Sequence, residues 1–316
     1  MRLFAIQRIL GLLLIVFSSS LLPPMLVSLW YGDGAHLAFV TAFFITLGIG
    51  FVSWLPVRRH KRDMRMRDGF IVVVLFWFVL SAIGALPSML SIKPQLSLTD
   101  SLFEAISGLT TTGATVITAI DELPRSILYY RQQLQWLGGM GIVVLAVAVL
   151  PLLGVGGMQL YRAETPGPVK DSKLTPRIAE TAKALWYIYL GLTIACTLAY
   201  WIAGMEFFDA IGHAFSTVSI GGFSTHDASI GYYNSTSIEM IAVIFMLISG
   251  VNFALHFMAW RSHSFKNYLK DSEFKFYISL LMTVTFIVTL YLFFSSTYDD
   301  WASAFFNALF QSVSIG

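Results

Sequence analysis

The sequence is poor in charge and contains a single cysteine. Of its 316 residues, 12% are charged, and Cys196 is the one cysteine. One cysteine cannot form an internal disulfide, and it cannot build a zinc site from several thiolates. Because Cys196 lies in an apolar stretch, we expect it to be a small core residue. The net charge of +2 says little by itself, and we expect no nucleic-acid partner.

The sequence also lacks the common signatures of catalysis and cofactor binding. Its six histidines do not have a metal-ligand spacing such as H-E-x-x-H, and it has neither a P-loop nor a G-x-G-x-x-G fingerprint. We therefore expect no enzyme activity and no organic cofactor. One alternative stays open, because Ser224, His226 and Asp227 lie together and could belong to a membrane-embedded hydrolase. Neighbours along a chain, however, seldom have the geometry of a catalytic triad.

What the sequence has in abundance is apolar residues. Hydrophobic residues make up 56% of the chain, and the mean hydropathy is +0.72. Soluble domains are usually about 45–50% apolar, so the chain is expected to lie in a lipid bilayer. A spanning helix needs about 20 mostly apolar residues. Seven stretches meet this requirement: 9–30, 36–56, 70–90, 129–153, 184–204, 237–259 and 276–295. The sequence therefore predicts an all-α, polytopic membrane protein.

The positions of the basic residues predict the orientation of these spans. Of the 20 lysines and arginines, 17 lie before residue 9 or in the segments 58–67, 162–183 and 261–275. All four segments fall on the same side if the N-terminus is cytoplasmic, as the positive-inside rule requires. The opposite connections, 91–128 and 205–236, then face outward. Each contains an apolar helical core of about 12 residues, too short to cross a bilayer.

An internal repeat links these two short helices. Residues 98–114 align with residues 207–223, and a third copy starts at Phe305. In both complete copies an aspartate precedes a central glycine by 13 residues, Asp100 before Gly113 and Asp209 before Gly222. We expect each aspartate to cap the N-terminus of a short helix, whose negative C-terminal end would favour a cation. The glycines permit backbone geometries in which carbonyl groups can replace the hydration shell of an ion.

This pattern resembles the Trk/Ktr/HKT superfamily of potassium transporters, and most closely its TrkH branch. That branch has two extra N-terminal spans followed by four units of span, pore helix, filter segment and span, as in K⁺ channels. The resemblance implies the following divisions: 1–68, the extra spans and a cytoplasmic loop; 69–157, repeat one; 158–183, a cytoplasmic loop; 184–260, repeat two; and 261–316, the start of repeat three. Repeat four and the rest of repeat three are expected to lie in a longer protein.

The resemblance also implies a set of site residues. Main-chain oxygens of Thr111, Thr112, Ile220 and Gly221 are expected to coordinate K⁺, the transported ion. A second set is expected to support the two filter segments: Thr110, Gly113, Ala114, Ser219, Gly222 and Phe223.

The family further implies a function, a location and partners. The function is K⁺ uptake across a bacterial inner membrane, with the filter facing the periplasm. The partners are a second copy of the protein and a cytoplasmic nucleotide-binding regulatory ring of the TrkA type. A K⁺ carrier coupled to Na⁺ or protons could use the same repeats, and the sequence leaves this alternative open. It also leaves open whether the filter prefers K⁺ to Na⁺.

A few residues near the membrane have two possible roles. Glu104 could attract cations to the outer vestibule or pair with Arg131, which could otherwise extend to the membrane surface. Three acidic residues in the outer connections could raise the local cation concentration or form an ordinary solvated surface: Asp121, Glu122 and Asp227. The glycines of 138–157 could be hinges, but close helix packing is the expected use. Gly250 and Asn252 could bend the span at 237–259, although packing is the default expectation.

Overall fold

The computed structural model describes residues 3–59, 66–141 and 178–315, and all regular structure within these ranges is helical. We number the helices in chain order. They are α1 (Leu3–Ser19), α2 (Leu22–Tyr31), α3 (His36–Trp54), α4 (Met66–Gly84), α5 (Leu86–Leu90), α6 (Leu98–Leu109), α7 (Arg125–Gly139), α8 (Ile178–Ile202), α9 (Phe207–Val218), α10 (Thr236–Ser249), α11 (Phe253–Ser262), α12 (Lys266–Lys270), α13 (Ser272–Phe294) and α14 (Trp301–Ile315). The all-α prediction is confirmed.

Five of the predicted spans correspond to helical segments that are long and apolar enough to cross a membrane. These segments are Leu3–Tyr31, His36–Val57, Ile71–Leu90, Lys183–Ile202 and Ser272–Phe294. Many side chains of these segments are not covered by the rest of the protein. In the apolar window of Ser272–Phe294, 17% of the residues are buried. Apolar surface of this extent is expected where a helix faces lipid rather than water.

The other two predicted spans differ from the structure or extend beyond it. The span at 129–153 begins as α7, but residues 142–153 lie outside the described residues. The span predicted at 237–259 is not one continuous helix, because α10 ends at Ser249 and α11 begins at Phe253; the break lies at Gly250 and Asn252, the two residues expected to be able to bend it. A Cβ atom added at Gly250 would collide with the Tyr277 hydroxyl of α13. Gly250 therefore lies both at the break and at a close packing contact.

The helices pack around two hydrophobic clusters. The first joins α1–α4 to the connection after α6 and to α7, with Ile9, Phe39, Phe76 and Tyr130 almost fully buried. The second joins α8, α9 and α10 and reaches Val313 of α14. A polar contact also ties the N-terminal helices to α7, because an Asp33 carboxylate oxygen accepts the Ser126 N–H at 2.8 Å. Negative charge near a helix N-terminus is favourable.

Glycine allows α7 to pass very close to α6. A Cβ atom added at Gly138 would overlap the carbonyl oxygen of Leu109, and one added at Gly139 would lie 2.5 Å from the Ser219 Cβ atom. The predicted packing role is confirmed for these two residues. The glycines at positions 154, 156 and 157 lie outside the described residues.

We expect Gly138→Ala to destabilise the protein by about 1–3 kcal/mol, because an added methyl group in a filled core forces the backbones apart. A thermal melt of the purified protein measures the effect. Gly191→Ala is the matched control, since Gly191 is an exposed helical glycine with no atom within 4 Å of an added Cβ. This control should be neutral or slightly stabilising, because alanine favours the helix. Equal melting temperatures for the two variants would contradict the packing argument.

Candidate functional site

The two short helices of the repeat are α6 and α9, and each is 12 residues long, as predicted. The predicted capping role of the aspartates is wrong, because Ser97 and Glu206 hold the N-cap positions. Asp100 lies in the first turn, where its N–H donates to the Ser97 hydroxyl at 3.2 Å. Asp209 occupies the same place in α9. Both carboxylates still carry negative charge at a helix N-terminus, where it is favourable.

The C-terminal ends of the two helices have the same backbone geometry. In α6 the Thr112 N–H donates to the Ser107 carbonyl at 2.9 Å, and in α9 the Gly221 N–H donates to the Ser216 carbonyl at 2.8 Å. These bonds, together with a left-handed residue after the helix, form a Schellman motif. The residue is Thr111 (φ 55°) in repeat one and Ile220 (φ 53°) in repeat two.

This left-handed position is unusual because both residues are β-branched. β-Branched residues rarely adopt a positive φ, and residues that do so cluster at functional sites. The central glycines, Gly113 and Gly222, also have positive φ values, 75° and 84°. The sequence repeat predicted the glycines, but nothing in the sequence indicated the strained residue two positions before each of them.

The two segments that follow the helices are residues 110–114, the first segment, and residues 219–223, the second segment. They are in direct contact. A Cβ atom added at Gly113 would collide with the carbonyl oxygen of Gly221. Both segments line a cavity of about 300 Å³, which also includes Phe310 and Ser314 of α14. The predicted third copy is therefore helical and close to the other two, although α14 begins at Trp301, four residues earlier than the repeat alignment indicates.

Local hydrogen bonds hold the predicted support residues in place. The Ser107 hydroxyl donates to the Ala114 carbonyl at 2.6 Å. The Thr110 hydroxyl donates to the Ile106 carbonyl at 2.7 Å, and the Ser219 hydroxyl donates to the Ser216 carbonyl at 3.2 Å. These bonds connect each segment to its own short helix. Six of the ten residues that the sequence singled out for the site line the cavity: Thr112, Gly113, Ile220, Gly221, Gly222 and Phe223. The other four lie beside them in the same two segments.

A buried ion pair stabilises the chain directly after the first segment. Arg131 and Glu104 are each about 3% exposed, and the Arg131 Nε atom lies 3.2 Å from Glu104 Oε2. Glu104 Oε1 accepts the Thr115 hydroxyl at 2.6 Å and the Val116 N–H at 2.7 Å. The alternative left open for Glu104 is thereby decided in favour of the pair. Arg131 does not extend to a surface, because its guanidinium also stacks on the Phe223 ring, with 4.3 Å to the centroid.

Three buried glutamines on α7 make hydrogen bonds that were not predicted from the sequence. Gln132 donates to the Phe223 carbonyl at 3.4 Å, and Gln135 makes two bonds to the second segment. Gln133 faces the other way and donates to the Ser20 carbonyl at 2.8 Å. A signal was present, because uncharged polar side chains inside an apolar span usually find a partner across helices. Their partners could not be read from the sequence.

The outer connections are joined by acidic residues and one histidine. The Ile120 N–H donates to Asp227 at 3.0 Å, and the Asp227 N–H donates to Asp121 at 3.1 Å. His226 lies between two carboxylates, with Nδ1 2.5 Å from Asp121 and Nε2 3.3 Å from Asp209. Asp121 and Asp227 thus crosslink the two repeats instead of forming an ordinary solvated surface. Glu122 is exposed and pairs with Lys93.

The same contacts argue against the hydrolase alternative. The ring nitrogens of His226 face Asp121 and Asp209 rather than the Ser224 hydroxyl. Ser224 is buried, and its hydroxyl lies 3.0 Å from His213 Nε2 instead. A serine nucleophile needs a base beside it and access for a substrate. The neighbouring residues Ser224, His226 and Asp227 do not provide that arrangement.

The crosslink predicts a loss of stability in acid. The hydrogen bond with His226, followed by that from the Asp227 N–H, lowers the pKa of Asp121 below its ordinary value. A carboxylate with a lowered folded-state pKa stabilises the fold above its unfolded pKa, and this stabilisation is lost as the pH falls through the folded value. We expect Asp121→Asn to lower the melting temperature at pH 7 by about 2–4 °C and to have a smaller effect as the pH is lowered below the ordinary pKa of the carboxyl. Glu122→Gln is the control and should leave the melting temperature unchanged; a pH-independent effect of Asp121→Asn would contradict the argument.

Residues 35–315 match the TrkH family, described as a cation transport protein. The chain is 58% identical over 313 residues to the Trk system potassium uptake protein TrkH of Vibrio parahaemolyticus, covering 98% of this chain and 64% of that protein. It is 44% identical to the Trk system potassium uptake protein TrkG of Escherichia coli, covering 96% and 63%.

A solved structure shows the same similarity in three dimensions. The crystal structure of the potassium transporter TrkH from Vibrio parahaemolyticus matches with a TM-score of 0.87 and 54% sequence identity. The match covers 100% of this chain and 64% of that chain. The chain thus spans slightly less than two thirds of the length of these relatives.

Proposed function

The chain belongs to the TrkH family of cation transport proteins, and we propose that its function is K⁺ uptake across a bacterial inner membrane. In this proposal K⁺ passes along the segments 110–114 and 219–223. The observation that carries it is the repeated backbone geometry: two copies of one helix end, with left-handed residues at the same two positions, lie in direct contact. A Schellman motif alone is common at helix ends; the specific features are a second left-handed residue two positions later in both copies and the contact between the copies.

The proposed mechanism is exchange of water for backbone oxygens. Main-chain carbonyls of Thr111, Thr112, Ile220 and Gly221 would replace part of the hydration shell of K⁺. The Gly221 oxygen also accepts a hydrogen bond from Gln135, and a carbonyl oxygen has a second lone pair. The C-terminal ends of α6 and α9 lie directly before these segments, so their partial negative charge favours a cation there.

The remaining site residues have supporting roles in this proposal. Gly113 and Gly222 supply the positive φ angles, while Thr110, Ala114, Ser219 and Phe223 hold the segments through the hydrogen bonds described above. Ion passage makes and breaks no covalent bond, so the mechanism requires neither an enzyme activity nor an organic cofactor.

The proposal includes an orientation and partners. We propose a cytoplasmic N-terminus and a filter that faces the periplasm, because the basic segments then lie inside. The divisions at residues 68, 157, 183 and 260 are kept as proposed boundaries. The relatives are named as parts of a Trk system, which supports a regulatory partner. We propose that this partner is a nucleotide-binding ring on the cytoplasmic side and that the protein is a homodimer.

Flux measurements on the full-length protein in proteoliposomes test the function. We expect K⁺ to enter down an imposed membrane potential in the absence of Na⁺ and of a proton gradient, and to exceed Na⁺ entry by at least tenfold. A carrier would instead require a coupling ion and would saturate. Flux that stops when the coupling ion is removed would favour the carrier, and absence of K⁺ flux would overturn the proposal.

A further inference from the structure

Gln135 lies directly behind the second segment and holds it at two points. Its side-chain Nε2 donates to the Gly221 carbonyl at 2.6 Å, and its Oε1 accepts the Phe223 N–H at 3.0 Å. The side chain is fully buried. One amide group therefore spans the main chain on both sides of Gly222, with its donor and its acceptor both in use.

This contact explains the glycine at position 221. Gly221 is absent from the glycines with positive φ, so its backbone angles do not require glycine. A Cβ atom at this position would lie 2.5 Å from the Gln135 Cδ atom. A side chain here would therefore displace the Gln135 amide from its two hydrogen bonds to the second segment.

The bond to Gly221 also links the two repeats. Gln135 belongs to α7 of repeat one, whereas Gly221 follows α9 of repeat two. The Gly221 oxygen lies against the backbone of Gly113, where an added Cβ atom would collide with it. The position of this oxygen is therefore set from one side by Gly113 and from the other by Gln135.

We propose that Gln135 is a positioning residue for ion selectivity: it fixes the orientation of the Gly221 carbonyl between the two segments. This inference rests on the proposed function and adds a residue outside the segments themselves. Gln135 does not contact the ion; it acts through the backbone that does. Removal of the amide would leave a buried carbonyl and a buried N–H without their partner, and a buried polar group without a partner drives local rearrangement.

Gln133 provides a matched control on the same helix. It is the same residue type, it is also buried, and it makes one hydrogen bond to the Ser20 carbonyl at the end of α1. This hydrogen bond does not involve either segment. Replacement of either glutamine by leucine removes a buried amide from α7, but only Gln135→Leu removes hydrogen bonds to the second segment.

The test is the K⁺ to Na⁺ permeability ratio of the full-length protein in proteoliposomes, for wild type, Gln135→Leu and Gln133→Leu. A ratio does not depend on how much protein each vesicle contains, so partial loss of folded protein does not alter it. We expect the ratio to fall about tenfold in Gln135→Leu, equivalent to about 1.4 kcal/mol, and to stay at the wild-type value in Gln133→Leu. If Gln135→Leu does not fold, Gln135→Asn replaces it, because the shorter amide cannot reach both backbone groups.

The outcomes separate the inference from the function on which it rests. An unchanged ratio in the Gln135 variant, or an equal fall in both variants, would overturn the positioning role while leaving K⁺ transport intact. A wild-type protein with no preference for K⁺ would overturn the proposed function and the inference with it.

Discussion

Replacement of Gly113 by alanine is expected to abolish the preference for K⁺, with a fall in the K⁺ to Na⁺ permeability ratio of at least tenfold. Two effects add at this position. The φ angle of 75° costs an alanine about 1–2 kcal/mol, and its Cβ atom would collide with the Gly221 carbonyl oxygen. The oxygen belongs to the main chain, so no side-chain rotation relieves the overlap. One of the two segments must therefore move.

Gly34→Ala is the control for this experiment. Gly34 has a φ angle of 81°, and no atom lies within 4 Å of an added Cβ, so the variant carries the backbone strain without the collision. It also lies outside the two segments, between α2 and α3. Proteoliposome flux should show wild-type selectivity for Gly34→Ala. A Gly113→Ala protein with wild-type selectivity would show that contact between the two segments does not set ion preference.

The second large effect is expected from Arg131→Met, which should destabilise the protein by about 3–5 kcal/mol. The substitution leaves Glu104 as a buried carboxylate without its cation, although Thr115 and Val116 still donate to it. Removal of one partner of a buried pair is costly because the remaining charge stays out of water. The Phe223 ring also loses the guanidinium stacked on it.

A double-mutant cycle separates the ion pair from the loss of packing. The double variant Glu104→Gln with Arg131→Met should be more stable than Arg131→Met alone, because no unpaired charge remains. Lys93→Met breaks an exposed pair of similar geometry, 3.0 Å with side chains 55% and 67% exposed, and should cost about 0–1 kcal/mol. Thermal melts of five proteins measure these differences: wild type, Glu104→Gln, Arg131→Met, the double variant and Lys93→Met. A double variant no more stable than Arg131→Met would show that the pair does not account for the loss.

The helical fold and the positions of the two short helices were predictable from the sequence, because both depend on local patterns. Apolar runs of spanning length, interrupted by basic segments, predicted most of the spans. The equal offset of Asp100 from Gly113 and of Asp209 from Gly222 predicted two equivalent helices, and the structure has them at the predicted residues. Hydropathy alone could not predict the break after Ser249, since the residues on both sides of it are apolar, but Gly250 and Asn252 indicated where the span could bend.

The parts that could not be predicted depend on contacts between distant residues. Ser97 takes the cap that was expected of Asp100, because the helix begins two residues earlier than the aspartate. The left-handed conformation of Ile220 is imposed by its surroundings, and its residue type argues against it. Gln135 lies 86 residues from Gly221, so its bond to that carbonyl arises only when the two repeats pack together.

The most direct test of the central claim is the reversal potential of the full-length protein in a planar bilayer with K⁺ on one side and Na⁺ on the other. If the paired segments form a K⁺ filter, the reversal potential should lie close to that of a K⁺-selective membrane, and Gly113→Ala should move it towards zero. A wild-type reversal potential near zero, or one that Gly113→Ala leaves unchanged, would contradict the account.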